Sequence, residues 1–263
     1  MVERISTGVK GLDDVLNGGY PKGRNILVMG AAGSGKTTLA LQFIHEGARR
    51  GEKGAYLSLE QRVDEITKDA KTIGLDFTEF EKKNIVKFYD QSFAKDAAGP
   101  DVRELAEFPG KFPYTGDQKS MPTNTQGVYE QIFKKAKDEG VSRFVIDSIP
   151  ALAVNIIPSI EHENETKMRM VLRKILIKLC NQLKEYGFTS LFIAEAKGDE
   201  ESDEFGIASY VTDGVLILKL NQALDTRTIR VGKMRVTSHS LKPNTFEFTN
   251  EGIEVKVPKR TQL

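Results

Sequence analysis

The residues best equipped for chemistry in this chain are Gly30, Ala31, Ala32, Gly33, Ser34, Gly35, Lys36 and Thr37, with Thr38 following. They spell G-x-x-x-x-G-K-[ST], a pattern that turns several backbone N–H groups inward onto phosphate oxygens. Glycine permits the tight curl. A helix beginning where the loop ends adds its positive dipole end. In such a loop the lysine bridges the β- and γ-phosphates and the hydroxyl after it sits on Mg²⁺. The expected ligands are therefore ATP and Mg²⁺, with Lys36 on phosphate and Thr37 on the metal.

Two further carboxylates fall at positions where such a loop needs them. Phe144–Val145–Ile146–Asp147 is an apolar run ending in an acid. Asp147 would leave its strand at the carboxyl end, where ligands of open α/β sheets lie, and hold the hydration shell of Mg²⁺. Glu60 ends the strand GAYLSL on the same side and is the candidate catalytic base for an attacking water. Glu195 ends a later strand and is placed to sense the γ-phosphate.

Arg227, Arg230, Lys233, Arg235 and Lys242 occur with no acid between Asp225 and Glu247. If 226–236 is a strand, Lys233 and Arg235 project from one face and repel each other unless an anion lies between them. Either this is an edge strand guarded by charge or the pair contacts a second phosphate, supplied from outside the subunit. His45 and His162 have no metal-ligand company and read as structural or solvated. The acids Asp199, Glu200, Glu201, Asp203 and Glu204 read as a solvated loop.

Hydrophobic periodicity supplies the elements that would position these groups. Ile26–Met29 is a buried strand, and Leu39/Phe43 and Ala40/Ile44 recur at helical spacing after the loop. A short helix from Gly11 to Leu16 and a glycine-rich turn precede that strand. Strands are expected at 54–59, 85–89, 143–147 and 189–194, and helices at 63–73, 126–139 and 165–186. The last quarter, 211–220, 226–236, 245–249 and 253–257, reads as strands joined by turns. The fold class is α/β: a mostly parallel, helix-flanked sheet with an antiparallel C-terminal extension at one edge. Residues 92–125 break the rhythm with Pro100, Pro109, Pro113 and Pro122. That insert is too long for an ordinary loop and so is either functional or mobile, and its aromatics Phe108, Phe112 and Tyr114 should pack in part.

A chain of 263 residues has room for one large α/β domain, and 1–263 is read as one. With 38 basic and 37 acidic residues there is no overall pull toward nucleic acid or an anionic membrane. The lone Cys180 sits in an apolar helical pattern and reads as core, which fits a reducing compartment. No apolar run approaches the roughly 20 residues that span a bilayer, and the N-terminus lacks a signal-peptide pattern. The expectation is a soluble, cytoplasmic protein.

The stretches STGVKGLDDVLNGGYPKG, GAAGSGKTT, YLSLEQ, FVIDS, SYVTDGVLIL and, most specifically, RTIRVGKMRVTSHSLKPNTFEFTNEGI resemble the KaiC-like ATPases of the RecA superfamily. The resemblance runs from about Ser6 to Val257 and implies a RecA-like core that forms rings, often hexamers, with ATP between subunits. It implies Glu60 as the catalytic glutamate, and Lys233 and Arg235, with His239 nearby, reaching ATP held by the neighbour. Where the family often has paired glutamates, this chain has Glu60–Gln61. The clock protein of that family carries two such domains in tandem, and its phosphorylated Ser–Thr pair aligns with Ser209–Tyr210. The leading functional expectation is an ATP-hydrolysing homo-oligomeric ring whose state is read by an unidentified protein partner. The alternatives are a RadA-like DNA-binding recombination factor, disfavoured by the acidic 199–204 loop, and an autophosphorylating kinase.

Overall fold

The computed structural model describes residues 2–90, 123–156, 165–195 and 208–257. Most of the 92–125 insert, His162 and the acids at 199–204 lie outside these residues. Among the described residues no helix is long and apolar enough to cross a membrane.

The chain opens with a ribbon of β1 (Arg4–Ile5) and β2 (Tyr20–Pro21) around the short helix α1 (Leu12–Val15). It then alternates: β3 (Asn25–Gly30), α2 (Lys36–Arg49), β4 (Gly54–Ser58), α3 (Val63–Thr72), α4 (Thr78–Lys82) and β5 (Val86–Tyr89). After the insert come α5 (Thr123–Asp138), β6 (Arg143–Asp147), α6 (Ile149–Ile156), α7 (Glu165–Glu185) and β7 (Thr189–Glu195). The C-terminal strands are β8 (Gly214–Asn221), β9 (Thr226–Met234), β10 (Asn244–Thr249) and β11 (Gly252–Val255).

One nine-stranded sheet runs β11-β10-β9-β8-β3-β7-β6-β4-β5. The strands from β8 to β5 are parallel, and β9, β10 and β11 continue the sheet in antiparallel pairs. This is the expected architecture with one shift: β8 belongs to the parallel part, because Gly214 to Leu218 pair along Ile26 to Gly30.

The cause of the parallel arrangement is visible in the side chains, since successive residues of a strand point to opposite faces. In β3, Ile26 and Val28 join the core under α2, while Leu27 and Met29 join the core under α5 and α7. In β6, Val145 faces the first core, and Phe144 and Ile146 face the second. Both faces are apolar, so both must be covered by helices. Cys180 lies in the second core, where burial pushes its thiol up to about 12.

Several local expectations are corrected. The ribbon β1–β2, α4 and α6 were not legible as periodic patterns, because each is too short to show a period. Residues 123–125, assigned to the insert, begin α5. The strand expected over 211–220 begins at Gly214, after a helical turn at 208–211 whose Ala208 carbonyl accepts the Thr212 N–H and hydroxyl. The strand expected over 226–236 ends at Met234, and Val236 turns the chain at φ 55°.

Candidate nucleotide site

The phosphate-loop motif lies where the helix-flanked sheet can use it, between the C-terminal end of β3 and the first turn of α2. Ala31, Ala32 and Gly33 are exposed at its apex, while Ser34 is buried. Gly30 must lack a side chain: a Cβ there would stand 2.6 Å from the Leu218 carbonyl oxygen and 2.5 Å from Ser34 Oγ. Gly35 has φ 99°, and its Cβ position is 3.0 Å from both Phe248 Cζ and Ile253 Cδ1, so the β10–β11 hairpin presses the loop from behind. The Ser34 hydroxyl is buried without a hydrogen-bond partner, and Lys36 Nζ donates to the Ala31 carbonyl at 2.8 Å. An exposed loop apex, a lysine and an orphaned donor at a helix N-terminus fit the phosphates of a nucleotide.

The carboxylates converge on this loop. Asp147 lies opposite Ser58 at the end of β6, and Glu195 opposite Gly30 at the end of β7. The Thr37 hydroxyl donates to Asp147 Oδ2 at 3.0 Å, across 110 residues of chain. The Tyr56 hydroxyl donates to the same oxygen at 2.6 Å. Burial pushes the Asp147 carboxyl up, and the bonds from Tyr56 and Thr37 pull it back. Burial pushes the Lys36 ammonium down, while Glu195, Asp147 and Glu60, in that order, support its charge. Glu60 is exposed just past β4, and its Oε1 accepts a short hydrogen bond from Ser148 Oγ. The structure therefore brings together Gly30–Thr38, Asp147, Glu60 and Glu195. The Thr37 hydroxyl and the Asp147 carboxylate are hard oxygen donors of the kind a divalent cation and its waters take.

Lys233, Arg235 and His239 are not in this group. β9 runs antiparallel to β8, so Lys233 lies opposite Val215, and the Arg235 N–H donates to the Asp213 carbonyl. That end of the sheet is where β3 begins; at roughly 3.3 Å per residue the loop is about 16 Å away along β3. The expectation that the chain itself supplies no anion here is corrected. Asp213, buried before β8, lies 2.8 Å from Lys184 and 3.5 Å from both Arg24 and Arg235. Lys233 Nζ donates instead to the carbonyls of Ser209 at 2.9 Å and Thr212 at 2.7 Å. Burial pushes its ammonium down, and neighbouring Arg235 adds to that. Arg235 is past the strand end with its side chain half exposed, and His239 Nδ1 lies 3.4 Å from the Ser240 carbonyl.

Sequence reasoning missed Tyr56, Ser148 and Asp213. A usable signal existed for the first: GAYLSL is buried throughout, and a hydroxyl inside such a strand must find a partner. His45 packs edge-on between Phe77 and Phe80, in line with a structural role.

The chain is similar to known proteins over nearly its whole length. The model of the KaiC ATPase family matches residues 5–260. A UPF0273 protein of Methanopyrus kandleri is 30% identical over 260 residues, covering 98% of this chain and 94% of its own. The circadian clock oscillator protein KaiC of Prochlorococcus marinus is 30% identical over 260 residues, 97% of this chain but 46% of the clock protein. Among solved structures, a KaiC-like protein of the hyperthermophilic archaeon Pyrococcus horikoshii has a TM-score of 0.75 at 29% identity, covering 98% of this chain and 100% of that one. The mixed sheet with its antiparallel extension is thus the KaiC-like form of the RecA fold.

Proposed function

Because the chain belongs to the KaiC family of ATPases, we propose that it binds ATP with Mg²⁺ at the Gly30–Thr38 loop and hydrolyses it. The observation that carries this reading is the 3.0 Å bond from Thr37 to Asp147, which joins the loop to a second strand end. A bound Mg²⁺ supplies charge neutralisation at the phosphates. Lys36 adds a cation beside them, and the loop N–H groups bind their oxygens. Glu60, steadied by Ser148, orients a water and takes its proton. The test is nucleotide binding and phosphate release. Lys36→Ala, which removes the cation opposite the β- and γ-phosphates, is expected to abolish binding or turnover. Undiminished hydrolysis by that variant would overturn the assignment.

The same reading extends to an assembly. Lys233, Arg235 and His239 serve the ATP of a neighbouring copy in a homo-oligomeric, typically hexameric, ring. A partner protein reads the nucleotide state of that ring. What supports this is position: Lys233 and Arg235 sit at the far end of the sheet from their own loop, and Arg235 retains an exposed side chain. Near-equal counts of 38 basic and 37 acidic residues speak against DNA as the principal ligand.

A further inference from the structure

The Tyr56 ring fills a position in the core beneath α2, at 5.6 Å and 33° to the Phe88 ring. Phenylalanine would fill that space equally well. The hydroxyl is therefore an addition, made at a fully buried position where a polar group is costly unless satisfied. It donates to Asp147 Oδ2 at 2.6 Å, within the range of a strong O–H to carboxylate bond, with the Thr37 hydroxyl as a second polar neighbour. Strand register explains the meeting. Tyr56 pairs with Val145, and Asp147 is two residues further along β6 on the same face. The first turn of α2 covers that face and delivers Thr37 to the same oxygen.

We propose that Tyr56 is a positioning residue for the divalent cation of the nucleotide site, acting through Asp147. This rests on the functional reading given above. Two donors on Oδ2 stop the carboxylate from rotating and leave Oδ1 for a water of the cation. With its hydrogen committed to Asp147, the Thr37 hydroxyl keeps its lone pairs for the metal. Without the Tyr56 hydroxyl, Thr37 alone holds a carboxylate that can turn. Partners that hold a metal's own ligands typically change metal affinity or activity by about 10–100-fold when removed, and Tyr56, one bond further out through Asp147 and a water, belongs at the low end of that range.

The test compares the parent chain with Tyr56→Phe, which deletes one oxygen and keeps the ring. Nucleotide affinity is measured across a Mg²⁺ titration and in EDTA, by calorimetry and by the nucleotide-induced rise in melting temperature. The melting readout uses each variant as its own reference and so survives a loss of stability. The expected result is a Mg²⁺ midpoint raised about tenfold or more, with affinity in EDTA unchanged. In an Asp147→Asn background, adding Tyr56→Phe should produce no further shift. A Mg²⁺ midpoint within about twofold of the parent, or equal weakening with and without Mg²⁺, overturns the inference and leaves Tyr56 as core packing. If the parent itself binds nucleotide indifferently to Mg²⁺, the site reading fails, and the inference with it.

Discussion

Glu60 illustrates what a residue needs besides its chemistry. An exposed carboxylate after a strand is ordinarily a solvated charge, but here Ser148, the residue after Asp147, holds one of its oxygens. Ser148 also lies 3.5 Å from the Ala151 N–H of α6. Glu60 is thereby tied to the same strand end that carries Asp147. Glu60→Gln keeps the size and the hydrogen-bonding oxygen but loses the proton acceptor. Nucleotide binding should persist while single-turnover hydrolysis slows by about 10²-fold or more, the scale of a positioned general base. Unchanged turnover would move the role to Glu195, which also lies in the electrostatic field around Lys36.

At the scale of elements, the phosphate loop is held from outside the parallel sheet. Gln42, buried on α2, uses its side-chain amide as a short piece of strand. Its Oε1 accepts the Ile253 N–H at 2.8 Å, and its Nε2 donates to the carbonyls of Ile253 at 3.1 Å and Glu251 at 3.2 Å. Nε2 also lies 3.3 Å from the Gly8 carbonyl. One side chain thus ties the loop's helix to the edge strand β11 and to the N-terminal turn. Gly252 leaves the room for it, since a Cβ there would stand 2.5 Å from the Gln42 amide carbon. Gln42→Ala leaves a buried N–H and several carbonyls unpaired, which costs about 1–3 kcal/mol per group left unsatisfied. Urea unfolding should show a lower midpoint at an unchanged m-value. A midpoint equal to the parent's would mean that the hairpin is held by Phe248 and Ile253 packing alone.

For the whole molecule, the question is whether two ends of the sheet meet across copies. Arg235→Ala should spare the fold, because Asp213 keeps Lys184 at 2.8 Å and Arg24 at 3.5 Å. Turnover should fall nonetheless, since a trans arginine is worth roughly 10³–10⁵ in rate in GTPases. ATP bridging two copies would also couple nucleotide to assembly, so light scattering should report larger particles with ATP than without. Mixing Arg235→Ala with Glu60→Gln subunits is the sharper measurement. A sound Glu60 then faces a sound Arg235 at some interfaces, and activity should return in part. If mixed particles, verified by mass, stay inactive, or if monomers hydrolyse ATP at the parent rate, the cations serve only to neutralise Asp213 and cap the 208–212 carbonyls.

The amino-acid sequence alone determined what is written in local order. The spacing from Gly30 to Thr37 prescribes a phosphate loop, because the N–H groups that bind phosphate are consecutive. Apolar runs such as Ile26–Met29 and Phe144–Ile146 prescribe strands buried on two faces, hence a parallel sheet between helices. The acids Asp147 and Glu60 were legible because a strand's end fixes which edge of the sheet they reach. Tertiary structure alone decided the partners. Tyr56 and Asp147 are 91 residues apart, and their meeting depends on β4 lying beside β6. Likewise, Arg235 looked unneutralised because Asp213 stands 22 residues away in sequence; the antiparallel turn from β8 to β9 brings it alongside. Local patterns record which face a side chain occupies. Strand order and register, set by burial summed over the whole sheet, decide what it finds there.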